Sequence, residues 1–220
     1  MKLIEQNLED FSLLIASGSP VPGGGSGAAL TAALGASFIA MVARITAGKH
    51  DFAVCGREQG CGHLCEHGCG QEFGRIVDKA DKLRRLFLRL VDEDAAAYEH
   101  FTAAKETTAA TAAASAAAAE ALRGCVEPPL KMLEGAYSGL LLAQELAAAY
   151  YPPTASDIGI AALNLETAAR GAYLTVHINL KHIKDGAFAV ETAKKSRAIL
   201  DRAEAAAAEI YASVKKYVET

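Results

Sequence analysis

Residues 16–30 read Ala16-Ser-Gly-Ser-Pro-Val-Pro-Gly-Gly-Gly-Ser-Gly-Ala-Ala-Leu30, and how this run is parsed decides the fold. Gly, Ser and Pro between 17 and 25 break any regular structure that comes before them. From Ala28 onward apolar residues return at Leu30, Leu34, Phe38, Met41 and Ile45, close to helical period. Ser26 is placed to cap that helix. The run therefore predicts a glycine loop handing over to a long helix. Exposed N–H groups at such a helix start, with the helix dipole behind them, favour a carboxylate, a phosphate or an oxyanion. The Gly-Lys-Ser/Thr ending of a nucleotide loop is absent and no strand precedes the loop, which disfavours nucleotide binding.

Outward from this point the chain keeps helical period. Leu3 to Ala16 forms one amphipathic stretch before the loop. Beyond it, Ile76, Leu83, Leu86, Leu90, Ala97 and Phe101 lead into the alanine run 109–119. Pro128-Pro129 suits the first turn of a further helix ending near Tyr150. After Tyr151-Pro152-Pro153, either Thr154 or Ser156 can cap a helix through Ile158, Leu165, Tyr173 and Leu180. Asp185-Gly186 marks a turn before a closing helix over 187–218. No segment alternates at period two. The expected fold is all-α, an up-and-down bundle of about six long helices in one domain over 1–220. Helix faces rich in Ala, Gly and Ser suit a homodimer.

Bulk properties agree with this. The 220 residues carry a net charge of −4, so nothing electrostatic favours nucleic acid or an anionic membrane. Ser26–Ala43 approaches the length of a membrane span, but its Gly and Ala content and the following Arg44 fit a buried bundle helix better. Met1–Asp10 is polar, without the basic-then-apolar pattern of a leader, which gives the expectation of a cytoplasmic protein.

The block 16–30, with Ala33-Leu-Gly-Ala36, Met41-Val42 and Thr46-Ala-Gly-Lys49, resembles the opening signature of the formiminotransferase-cyclodeaminase family. Leu90-Val-Asp-Glu-Asp-Ala-Ala-Ala-Tyr98 looks like its acidic helix segment. Ser156-Asp157, Gly171-Ala172 and Ile178-Asn179-Leu180 look like its carboxy-terminal signature. The resemblance implies a dimeric, all-helical enzyme with a tetrahydrofolate derivative as substrate. It would act either as a methenyltetrahydrofolate cyclohydrolase or as a formiminotetrahydrofolate cyclodeaminase. Both reactions pass through a tetrahedral carbon between two folate nitrogens and need proton transfer rather than a metal. Two departures from the family pattern stand out. Tyr151-Pro152-Pro153-Thr154 replaces a usual Gly-Asn before Ser-Asp, and Thr175 replaces an Asn. They keep open a non-catalytic bundle with a metal- or redox-sensing loop.

Candidate site residues follow from both lines of reading. Asp92 and Asp94 point about 200° apart on a helix, so only one can face a given pocket. Asp94 shares its face with Leu90 and Tyr98, and burial there would raise its pKa. Asp94 is therefore the favoured acid/base, with Asp92 as alternate. The loop residues Pro22, Gly23, Gly24, Gly25 and Ser26 are read as substrate-binding. Lys49 is a candidate for a folate glutamate carboxylate, and Ser156 and Asp157 are read as substrate-binding, with Asp157 at the pterin amide edge. Asn179, in an otherwise apolar run, either ties helices together or faces the ligand. His177 and His182 are read as structural or interface residues.

One segment, at about 53–74, departs from the family as an insertion. It carries Cys55, Cys61, Cys65 and Cys69, interleaved with His63 and His67. Thiols this dense in a cytoplasmic protein suggest a structural or regulatory metal, either zinc or an iron–sulfur cluster. Redox-active thiols and an inert loop are the alternatives. Cys125 stands apart and reads as a core residue.

Overall fold

The computed structural model describes residues 2–49, 69–106 and 112–220. A 3-10 turn at Leu3–Glu5 leads into α1 (Leu8–Ala16), capped by the Asn7 side chain, which accepts from the Asp10 amide. Then follow α2 (Gly24–Gly48), α3 (Cys69–Glu106), α4 (Ala112–Gly124), α5 (Glu127–Ala147), α6 (Ala155–Leu180) and α7 (Gly186–Val218). Among the described residues every regular element is helical.

Cross-links between helices fix their directions. Ser26 meets Val91 while Arg44 meets Asp81, so α2 and α3 run antiparallel. Arg75 pairs with Glu145 as Gly135 abuts Phe87, which makes α3 and α5 antiparallel as well. The Tyr151 amide donates to Thr46 at one end of α2, and Gly171 approaches Ala28 at the other. Hence α6 lies antiparallel to α2. On the far side, Val214 reaches Gly159 and His177 reaches Ser196, setting α7 antiparallel to α6. This is the expected up-and-down bundle.

Small residues let the helices close on one another. A Cβ added at Gly35 would stand 2.7 Å from Leu165 Cγ, and one at Gly139 would stand 3.0 Å from Leu165 Cδ1. Leu165, fully buried, thus fills a slot walled by α2 and α5. Leu165→Ala should lower stability by about 2–5 kcal/mol, since close-packed backbones cannot collapse into the void. A shift in denaturant midpoint with unchanged slope checks this. The same packing accounts for α2, which is long and apolar enough to cross a bilayer. Half of that window is buried inside the bundle, mainly as Ala29, Ala32, Ala33, Ala36, Ile39 and Val42.

The boundaries differ from the sequence reading at several points, the first being the division of Leu3–Ala16 into the 3-10 turn and α1. Helix α2 starts two residues before Ser26, with Gly23 as its N-cap and no side-chain capping bond. Neither Ser156 nor the Thr154 side chain caps α6. Thr154 occupies the cap position, but its hydroxyl donates to the Tyr151 carbonyl. Helix α3 begins at Cys69, inside the stretch read as an irregular insertion, and Phe73 is already in the core.

Candidate active site

The first turn of α2 meets the middle of α3 at Asp94. A Cβ on Gly25 would fall 2.2 Å from Asp94 Oδ1 and 2.5 Å from its Cγ. Glycine is therefore required here for close approach. No described glycine has positive φ, so Gly25 serves proximity and not a left-handed turn. Ser26 lies one residue further on, fully buried. Its hydroxyl oxygen is 3.0 Å from the Val91 carbonyl and 3.2 Å from Asp94 Oδ2.

Burial drives the Asp94 carboxyl above the ordinary aspartate range, against the opposing pull of the Ser26 hydroxyl and amide. The Ser26 hydroxyl can donate either to the Val91 carbonyl or to Asp94 Oδ2. An aspartate whose pKa is raised by burial and which is set against a cleft is fitted for giving and taking protons.

The cleft beside Asp94 measures about 740 Å³. Pro20, Val21, Gly23, Gly24 and Gly25 form one wall, and Asp94, Ala95, Tyr98 and Phe101 of α3 a second. Opposite stand Leu174, Thr175, His177, Ile178 and Asn179 of α6, with Lys181 and His182 beyond the helix end. Leu122 and Cys125 also line it. Apolar walls with a few polar atoms are the usual make-up of a small-molecule site. The first hydrogen bond of α2 runs from Gly27 N to Gly23 O, 3.1 Å. The amides of Gly24 and Gly25, ahead of it, make no such bond within the helix.

Asn179 serves both readings at once. Its Nδ2 donates to the Cys125 carbonyl at 2.8 Å, joining α6 to the α4–α5 junction, and the residue still lines the cleft. Cys125 is buried, with its thiol donating to the Ala97 carbonyl. Burial and the nearby Asp94 charge push that thiol up to about 11, so it is no nucleophile near neutrality. The Thr175 hydroxyl is bonded to the Gly171 carbonyl of its own helix.

Several predicted residues lie elsewhere. Asp92 faces away from the cleft and accepts from the Leu3 amide at 2.7 Å, as the angular spacing requires. Pro22 is buried behind the wall that Pro20 and Val21 form. Ser26 touches Asp94 and is not among the lining residues. Lys49 ends α2 with its ammonium over the Tyr151 ring. Ser156 and Asp157 open α6, roughly 33 Å along the helix from Asn179. Within one chain, Lys49, Ser156 and Asp157 therefore cannot share the cleft with Asp94. Pro20, Val21, Tyr98, Phe101 and His177 were not read as site residues. Tyr98 alone had a sequence signal, its spacing of four from Asp94. The metal candidates Cys55, Cys61, Cys65, His63 and His67, and the Cys69 side chain, lie outside the described residues. Among the described residues no group of three or more His, Cys, Asp or Glu forms a metal site.

Comparison with known proteins gives a consistent picture. Residues 7–198 match the family model described as formiminotransferase-cyclodeaminase. The methenyltetrahydrofolate cyclohydrolase of Methylorubrum extorquens is 30% identical over 217 residues, 97% of this chain and 98% of that protein. The formimidoyltransferase-cyclodeaminase of Sus scrofa is 33% identical over 94% of this chain, which spans 36% of that longer protein. The crystal structure of formiminotetrahydrofolate cyclodeaminase from Thermotoga maritima superposes with a TM-score of 0.74. It covers 98% of this chain and 96% of that one at 23% identity, a likeness of fold.

Proposed function

The chain belongs to the formiminotransferase-cyclodeaminase family, and on that premise we propose that its cleft binds a tetrahydrofolate derivative and opens or closes the one-carbon bridge. It is a folate one-carbon enzyme, a methenyltetrahydrofolate cyclohydrolase or a formiminotetrahydrofolate cyclodeaminase. The observation that carries the site assignment is Asp94, held above its ordinary pKa where the glycine turn of α2 closes on α3. Asp94 exchanges the proton with the nitrogen whose bond to the bridge carbon forms or breaks. Ser26 orients it. The apolar faces of Phe101, Leu174 and Ile178 suit the flat pterin and aminobenzoyl rings, and Asn179 and the Gly24–Gly25 amides offer polar contacts. Lys181 and His182 at the cleft mouth take the glutamate carboxylate that Lys49 cannot reach. Loss of methenyltetrahydrofolate above the uncatalysed rate, with ammonia release from the formimino substrate measured alongside, tests the reading and separates the two activities.

We propose further that the protein works as a cytoplasmic homodimer. Ile160, Leu163, Leu174 and Ile178 form an exposed apolar stripe along α6, with Leu34 exposed on the adjacent α2. A twofold axis perpendicular to these helices would bring the partner's end of α6 that starts the helix, and so the Ser156–Asp157 pair, toward this cleft. Sedimentation should give twice the chain mass, and Leu163→Glu should shift it toward one. A monomeric parent at micromolar concentration contradicts this.

For the segment at about 53–74 the residue types support a zinc or iron–sulfur site that is structural or regulatory. Elemental analysis should find metal bound in stoichiometric amount; a metal-free, fully folded sample contradicts it.

A further inference from the structure

His177 lies in the wall of the cleft with one edge against α7. Ser196 of α7 is fully buried, and its single hydroxyl hydrogen goes to the Ala193 carbonyl, 3.0 Å away. The same hydroxyl oxygen stands 3.1 Å from His177 Nε2. With that hydrogen on Ala193, Ser196 accepts from the ring, an arrangement in which His177 carries its proton on Nε2 and its lone pair on Nδ1. Among the described residues no hydrogen bond engages Nδ1, and no buried side-chain nitrogen or oxygen lacks a partner. Nδ1 therefore reaches accessible space, and the cleft is the space this residue borders. The Tyr173 ring, 4.0 Å between centroids, holds the imidazole in place.

We infer that His177 is the second proton-handling side chain of the reaction, taking at Nδ1 the proton that the nucleophile loses as it adds to the bridge carbon. The inference rests on the folate reading above. In hydrolysis, a water oxygen bonds to the methenyl carbon and gives one proton to Nδ1, leaving a neutral hydroxyl adduct. One C–N bond then breaks, and the departing nitrogen receives the Asp94 proton. The adduct hydroxyl passes its proton to the Asp94 carboxylate as the carbonyl forms. The imidazolium returns its proton to solvent, which is the one proton the overall hydrolysis releases.

The surroundings keep the ring a base. Burial first, then the Arg197 guanidinium, hold His177 below the ordinary histidine value. The other groups around it are Tyr173 on its own helix, Lys181 and His182 just beyond the end of that helix, Ser196 on α7, Cys125 at the α4–α5 junction, and Asp94 and Tyr98 across the cleft on α3. The Pro20–Gly25 wall carries no side-chain charge. Two groups whose environments move them in opposite directions, Asp94 up and His177 down, divide acid and base work between them.

His177→Gln keeps an N–H for Ser196 and removes the base. With methenyltetrahydrofolate as substrate, it should lower kcat by about 10²–10⁴-fold, leave KM little changed and flatten the acid limb of the pH profile. Added imidazole should restore part of the rate. A folded His177→Gln enzyme with parental kcat and pH profile overturns the inference while leaving the folate reading intact. A parent that turns over neither folate substrate overturns both. Should the variant not fold, ¹⁵N-histidine spectra of the parent decide. The Nε2–H tautomer at position 177 is expected, and Nδ1–H overturns it.

Discussion

Asp94→Asn should yield a folded protein whose kcat is about 10²–10⁴-fold below the parent. The amide matches the carboxyl in shape and can still accept from Ser26, but it neither gives nor takes a proton near neutrality. The loss should fall on kcat more than on KM, because the proton moves only as the C–N bond breaks or forms. Stability should move the other way. The folded-state pKa of Asp94 is raised, mainly by burial. A raised carboxyl stabilises the fold fully below its unfolded value, and that contribution is lost as pH climbs through the folded value. At neutral pH the parent thus carries the cost of a desolvated charge that Asn does not. The Tm of Asp94→Asn should therefore equal or exceed the parental Tm above that value, the gap growing from the ordinary aspartate range upward. Thermal melts across pH, beside the rate assay, check both halves. A variant with lower Tm and parental turnover would make Asp94 a structural residue.

Gly25→Ala is the second large effect, and it tests the contact that builds the site. An added methyl group would stand 2.2 Å from Asp94 Oδ1, so the carboxylate must move. A displacement of about 1 Å at a reacting group costs on the order of 10²-fold in rate. Helix propensity alone would favour Ala over Gly by roughly 0.5–1 kcal/mol, whereas overpacking costs roughly 1–3 kcal/mol. The expected net result is a destabilised and nearly inactive enzyme. In an Asp94→Gly background the clash is gone, and the same Gly25→Ala change should become stabilising. This reversal, read from a double-mutant cycle, separates contact with Asp94 from a general intolerance of Ala.

The bundle was legible because each long helix carries its own period and its own punctuation. Pro128-Pro129, Asp185-Gly186 and Tyr151-Pro152-Pro153 each stand at the boundary they imply. Ser26 misled as a cap because the glycines ahead of it look like loop. The contact that requires glycine at position 25, with the Asp94 carboxylate, lies far along the chain and leaves no local trace. Asp94 itself was legible through angular spacing, which set Asp92 on the other side. His177 was not, since its significance lies in Ser196, 19 residues on in the next helix. Lys49, Ser156 and Asp157 were grouped with the glycine turn by motif alone. Motif order carries no information on which end of an antiparallel helix pair a residue occupies, and here the two ends are far apart.

The most direct measurement is turnover by the purified parent chain at neutral pH. Its rate of methenyltetrahydrofolate loss and of ammonia release from formiminotetrahydrofolate is compared with buffer alone. A rate well above the uncatalysed one for at least one substrate is expected. Rates equal to buffer for both, from a folded protein, would contradict the assignment of this cleft to folate chemistry.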